Sequence, residues 1–422
     1  MKMAEQKIMN RWLVCVGAIL IQLCLGAIYA WSVFTPSLED ANWTKTQTQM
    51  VFSAGLALFA IVMVLAGRMM PKFGPMKVAM SGGIVLGLGY LLAGLIGGTS
   101  FIKIFILIGI VGGSGIGLAY VVPIAVGMRW FPDKKGMITG LAVAGFGFGA
   151  TLWVKLAGSW GKLISSHGLN TTFSIYGIAF AILVVLGSLW MKFPPEGWKP
   201  EGWNPEAKTD KKSAVSPVDL PSGKMLKTPQ YYLILLTFIF GASAGLMSIG
   251  LMKAFPVPEL MKNGFGDDAA KAIAGTAMAL FFAIFNGLGR IVWGLISDRL
   301  GRKLSITIMM FTQGIFVIAF IKMAGTPALL YLGAALIGFN FGGNFALFPT
   351  ITADIFGTKF VGQNYGWVFL AYGIGGIFGP IMGGKLGDMN NFPLAFIICG
   401  ILCLVAAGII SLVKPPKTLA SN

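Results

Sequence analysis

Gly294-Leu-Ile-Ser-Asp-Arg-Leu-Gly301 follows one long apolar run, and Gly67-Arg-Met-Met-Pro-Lys-Phe-Gly74 follows another, 227 residues earlier. Each segment opens and closes on a glycine at the same spacing and carries basic residues at or near its end. At a shift of 226, Gly140, Gly147 and Gly149 align with Gly366, Gly373 and Gly375, and Pro123 aligns with Pro349. A chain with 59 glycines matches glycines easily by chance. An offset held to within one residue across three pairs of apolar runs is different, and it signals two duplicated halves.

Outward from these segments, apolar runs lie at about 12–34, 50–70, 77–98, 101–128, 137–160, 171–192, 230–252, 271–297, 304–323, 328–350, 363–387 and 392–413. Each has the roughly 20 residues that a membrane-spanning helix needs. The chain is 56% apolar and only 11% charged, whereas soluble domains run at about 45–50% and about 25%, so a large soluble domain is excluded. No run alternates as a membrane β-barrel strand does. The predicted fold class is therefore all-α integral membrane, with twelve transmembrane helices in two six-helix halves. Residues 1–192 form the first half and 229–422 the second. Between them, 193–228 holds six prolines among lysine and glutamate and reads as a polar linker. No small-residue cleavage site follows the first run, which is expected to be retained. Duplicated halves of this kind enclose a site near mid-bilayer and alternate its exposure.

Basic residues sort by loop. Lys2, Lys7, Arg11, Arg68, Lys72, Lys77, Arg129, Lys134, Lys135, the linker lysines, Arg299, Arg302, Lys303, Lys359, Lys414 and Lys417 share one side. The opposite loops hold Lys45, Lys103, Lys162, Lys253, Lys262, Lys271, Lys322 and Lys385. The excess puts both termini in the cytoplasm, with a multi-pass location in a prokaryotic cytoplasmic membrane expected. The net charge of +17 is thus spread over short segments at a lipid surface, and no nucleic-acid partner is expected. Cys15, Cys24, Cys399 and Cys403 lie inside apolar runs and behave as small hydrophobes. They and His167 offer no metal-ligand spacing, so no metal and no cofactor are expected. A monomer is expected.

Ionisable residues within the runs carry most of the functional information, because each is costly in lipid unless a partner, cavity or ligand compensates it. Only two are deep, Arg290 and Lys155, and no aspartate or glutamate falls inside the twelve runs. Arg290 precedes Asp298 by eight residues, about 12 Å along a helix, which is near mid-depth. Without an intramembrane acid, its guanidinium fork is matched to a carboxylate substrate. Lys155 either snorkels to the far interface or takes part in coupling. Asn286, one turn before Arg290, shares its face.

The two glycine-bounded segments, read as GLISDRLGRK at Gly294 and GRMMPKFGPMK at Gly67, resemble the two copies of the loop signature of the major facilitator superfamily. More narrowly, the chain resembles the branch of the monocarboxylate transporters and oxalate:formate antiporters. The matching segments are GAIYAWSVF at Gly26, RWFPDKKG at Arg129, MLKTPQYY at Met225, NGLGRIVWG at Asn286 and FPTITADIFGT at Phe348. The resemblance implies substrate contact by Arg290 and an aromatic cage from Tyr29, Tyr120, Phe146, Phe341, Phe345, Phe369 and Tyr372. It also implies a conformational latch built on Asp298, Arg299 and Arg302. Pro71 stands where the family's first loop has aspartate, which puts that half's latch in doubt. Asn286 replaces the aspartate of proton-coupled members. Tyr372 replaces a lysine, and Ile28 a polar amide, of the oxalate exchangers.

One cation beside apolar walls fits a small monocarboxylate of the lactate or pyruvate type, moved by proton symport or by carboxylate exchange. An oxalate:formate-type antiporter is the alternative. An anion channel would show rings of like residues, and an intramembrane enzyme would need a nucleophile and base or metal ligands; the runs offer neither.

Overall fold

The computed structural model describes residues 9–158, 160–203, 219–252 and 254–414. The middle of the predicted linker, 204–218, lies outside them, as do Lys2, Lys7, Lys253 and Lys417 among the residues used for sidedness. Among the described residues, twelve helices are long and apolar enough to cross a membrane. In the first half these are α1 (Trp12–Val33), α2 (Gln47–Phe73), α3 (Pro75–Gly97), α4 (Phe101–Trp130), α5 (Lys135–Ala157) and α6 (Leu163–Ser188). In the second they are α7 (Pro229–Leu251), α8 (Asp267–Leu300), α9 (Arg302–Met323), α10 (Pro327–Phe356), α11 (Val361–Asp388) and α12 (Phe392–Ser411). With six spans per half, the N-terminus, the linker and the C-terminus share one end, called here the linker end.

The repeated glycines have two physical jobs. Gly74 (φ 82°, ψ 151°) and Gly301 (φ 85°, ψ 153°) end α2 and α8 in a backbone region that side chains avoid. Each lets the chain reverse at once into the next helix, and this explains the last glycine of both segments. The first glycines are contact points between halves. A Cβ on Gly294 would overlap the Gly136 carbonyl of α5, and one on Gly67 would overlap the Gly362 carbonyl of α11. Gly140 packs on the Arg290 carbonyl and Gly366 on the backbone of Met63 and Val64. Thus α5 against α8 and α2 against α11 are the seams between halves, with small residues permitting close backbone approach.

Several helices extend beyond their apolar runs. α10 continues past 350 to Phe356 and carries Asp354 into its last turn, so the expectation that no acid lies within a span fails at that helix end. α8 begins at Asp267, where Asp267 and Asp268 occupy the first turn, the favourable position for acids on a helix dipole. α6 starts at Leu163 and bends at Gly168 (φ 77°); His167, expected in a polar loop, is an exposed residue of the turn before that bend. α1 tightens into a 3₁₀ stretch over Gly26–Val33, which presents Tyr29.

Candidate substrate site

Arg290 is the largest fully buried side chain, with 1% of its surface exposed. Its Nε donates to Asn286 Oδ1 at 3.0 Å, one turn back along α8, and its Nη1 donates to the Val143 carbonyl of α5 at 2.8 Å. The guanidinium carbon lies 4.2 Å from the Phe345 ring centroid and 5.7 Å from that of Phe146. Such cation–π contacts offset part of the desolvation of the charge. The titratable groups that face it are the phenols of Tyr120, Tyr29, Tyr372 and Tyr365, with no carboxylate among them.

Around this cation the predicted aromatics come together from five helices. Phe146 of α5 meets Tyr29 of α1 and Tyr120 of α4 edge-on, both at 5.3 Å. Phe345 and Phe341 of α10 are 5.4 Å apart, and Phe345 meets Tyr372 of α11 at the same separation. Phe369 stacks on Tyr372 at 5.1 Å and touches Tyr120 across the halves at 5.4 Å. The Tyr29 and Tyr372 hydroxyls bond one another, bridging α1 and α11.

Two cage members escaped the sequence reading. Phe59 of α2 contacts Tyr120 at 4.9 Å and Phe369 at 5.0 Å. Tyr365 of α11 meets Phe369 at 5.7 Å. The signal for Tyr365 was present: Tyr365, Phe369 and Tyr372 follow the i, i+4, i+7 spacing of one helix face, the face whose Gly362, Gly366 and Gly373 meet α2. Phe59 sits in a uniformly apolar run and gives no such signal. Lys155 does not join the cage. It lies in the last turn of α5, about 13 Å along the helix from Phe146, and among the described residues its side chain makes no hydrogen bond or ion pair.

At the linker end, Asp298 accepts from the Gly136 and Met137 amides, each at 2.8 Å. A carboxylate of one half thus caps the N-terminus of α5 in the other, where the helix dipole favours negative charge. Arg302 Nη2 donates to Asp298 at 2.6 Å and its Nε to Asp354 at 3.1 Å, while Lys135 of α5 reaches Asp354 at 2.8 Å. Asp298 and Arg302 were expected here. Arg299 is not part of the cluster; it points outward and makes no such contact among the described residues. Asp354 and Lys135 take the place given to it, hidden from the sequence because the apolar run stops short of the end of α10. On the other seam, Pro71 supplies no carboxylate. Asp219, where the described chain resumes within the linker, accepts from the Lys359 amide at 3.0 Å, and Arg129 of α4 donates to the Lys359 carbonyl.

The chain has known likenesses. A model of the Major Facilitator Superfamily matches residues 14–255 and 244–422. An uncharacterized transporter of Escherichia coli, YhjX, is 29% identical over 87% of this chain and 86% of its own length. The oxalate:formate antiporter of Oxalobacter formigenes is 27% identical, over 96% and 92%. Monocarboxylate transporter 14 of Mus musculus is 23% identical, over 96% and 90%. Among solved structures, the transporter FucP in its outward conformation superposes with a TM-score of 0.66 at 17% identity, covering 96% of this chain and 99% of its own, a likeness of fold. Twelve apolar helices, a duplicated six-helix architecture and a family model spanning both halves agree: this multi-pass membrane protein belongs to the major facilitator superfamily of transporters.

Proposed function

We propose that the chain carries small monocarboxylates of the lactate or pyruvate type by alternating access, exchanging one carboxylate for another across the membrane. One observation carries this reading: a fully buried arginine, ringed by aromatics, that no carboxylate faces. At about 4 Å and an effective dielectric near 20, an anion gains about 4 kcal/mol from such a charge, and a carboxylate meets the guanidinium edge with two oxygens. Moving Arg290 through the closed state without an anion forfeits that gain, which favours exchange over one-way return. Arg290, Asn286, Tyr29, Tyr120, Phe146, Phe341, Phe345, Phe369 and Tyr372 form the proposed site. Asp298 and Arg302 form the proposed latch. The two rigid halves are taken as 1–192 and 229–422 around the linker 193–228, in a monomer. With the termini in the cytoplasm of a prokaryote, the seal at the linker end makes the described state closed to the cytoplasm.

The relative named as an oxalate:formate antiporter favours a second reading, oxalate exchange. Tyr372 argues against it, because a dianion would face one cation and a phenol. Tyr372→Lys is expected to improve oxalate competition relative to lactate by about tenfold or more, since a hydrogen bond to a charged group contributes about 1.5–3 kcal/mol. An unchanged ratio of inhibition constants would place Tyr372 outside the pocket.

Uptake of labelled lactate, pyruvate, formate and oxalate into proteoliposomes tests the whole reading. Internal lactate should stimulate uptake of the monocarboxylates, and channel-rate flux without trans-stimulation would overturn exchange. A pH-gradient arm separates proton symport. Should a gradient drive uptake, His167→Ala is expected to leave that drive intact, because the exposed imidazole lies far from the cage; loss of gradient-driven accumulation with exchange retained would place the proton path there.

A further inference from the structure

The hydroxyls of Tyr120 and Tyr365 are buried and have no hydrogen-bond partner. The other phenols facing Arg290, Tyr29 and Tyr372, bond each other. Buried hydroxyls are normally paired, so two orphans beside one guanidinium mark hydrogen-bonding capacity for something other than protein. The capacity also exceeds what a carboxylate needs. Nη2 of Arg290 makes no hydrogen bond among the described residues, Nη1 retains a second N–H, and both phenols can donate. Tyr365 stands on the face of α11 that meets the first half, one turn nearer the linker end than Phe369. Tyr120 approaches from α4 against the same Phe369 ring.

We propose that Tyr365 is a specificity-determining residue whose hydroxyl binds an oxygen on C2 of the substrate while Arg290 and Tyr120 hold the carboxylate, so that 2-oxo and 2-hydroxy monocarboxylates are selected over unsubstituted acids of the same size. The inference rests on the carboxylate-carrier reading and sharpens its substrate class. A site built to hydrogen-bond a substrate oxygen rejects the analogue lacking it, because the analogue leaves the buried polar group unpaired. Tyr29 and Tyr372 already engage each other, whereas Tyr365 has no partner, and the remaining aromatic walls are phenylalanine.

The experiment is competition by pyruvate, lactate and propionate against labelled pyruvate in proteoliposomes, with the native chain, Tyr365→Phe, Tyr120→Phe and Arg290→Lys. Tyr365→Phe removes only an unpartnered hydroxyl, so folding and expression are expected to hold. The native chain should prefer pyruvate and lactate to propionate by about tenfold or more. Tyr365→Phe should erase most of that preference while changing propionate inhibition by less than about twofold; Tyr120→Phe should weaken all three acids together. No preference in the native chain, or a preference that survives Tyr365→Phe, overturns the proposal. A preference lost in Tyr120→Phe alone also overturns it, by assigning the oxygen to the other phenol. Arg290→Lys reports separately on the parent reading: unchanged inhibition by all three acids in that variant would remove the carboxylate from Arg290 altogether.

Discussion

Arg290→Lys is expected to reduce carboxylate uptake by about ten- to a hundredfold at matched protein level. The guanidinium spends Nε on Asn286 and one Nη1 hydrogen on Val143, and still presents a planar edge to a ligand. An ammonium has three donors around a point and cannot do both. The lost charge-assisted hydrogen bonds are worth about 1.5–3 kcal/mol, or roughly one to two powers of ten in transport. Initial rates of labelled pyruvate uptake decide it, and near-native rates would remove Arg290 from the site. A companion measurement separates function from folding. A buried charge without an acid opposite it is retained at a cost, and replacement by a similar-sized apolar group is often neutral or stabilising. Arg290→Met should therefore unfold in detergent no earlier than the native chain while transport is lost.

Asp298→Asn is expected to shift the balance away from the state sealed at the linker end by about 2 kcal/mol, close to thirtyfold. Its carboxylate holds two amides of the α5 N-terminus in the other half as well as Arg302. The amide side chain keeps one acceptor oxygen but loses the charge that answers both the helix dipole and the guanidinium. The two amide contacts join the halves, so they act only while this end is closed. Hydrogen exchange at the first turn of α5 should rise in the variant, and turnover should slow. Exchange unchanged at Gly136 and Met137 would mean that Lys135, Arg302 and Asp354 hold the seam unaided.

The two seams also differ for a physical reason visible in single residues. On the α5–α8 seam the carboxylate comes from Asp298 of the repeated segment. On the α2–α11 seam that position is Pro71, and the neighbouring anion is Asp219 of the linker, bonded to the Lys359 amide. The glycine scaffold repeats between the halves, but the polar contacts at its two seams do not.

By itself the sequence determined the twelve spans, the duplicated halves, the glycines that punctuate them and the isolated depth of Arg290. All of these follow from local rules: the length of apolar runs, the backbone that only glycine adopts at Gly74 and Gly301, and the cost of a charge in lipid. Asn286 was legible for the same reason, one turn from Arg290 on one helix. The tertiary structure alone decided which side chains from different helices meet. Phe59 meets the aromatic cluster because α2 crosses α11, Asp354 pairs with Lys135 and Arg302 because α10 runs past its apolar segment, and Arg299 fell outside because its rotation on α8 points it away. It also decided which hydroxyls are spoken for. Tyr29 and Tyr372 are 343 residues apart and bond each other, whereas Tyr120 and Tyr365 are left unpaired. Contacts between helices depend on crossing and rotation, which a one-dimensional pattern of apolar residues does not encode.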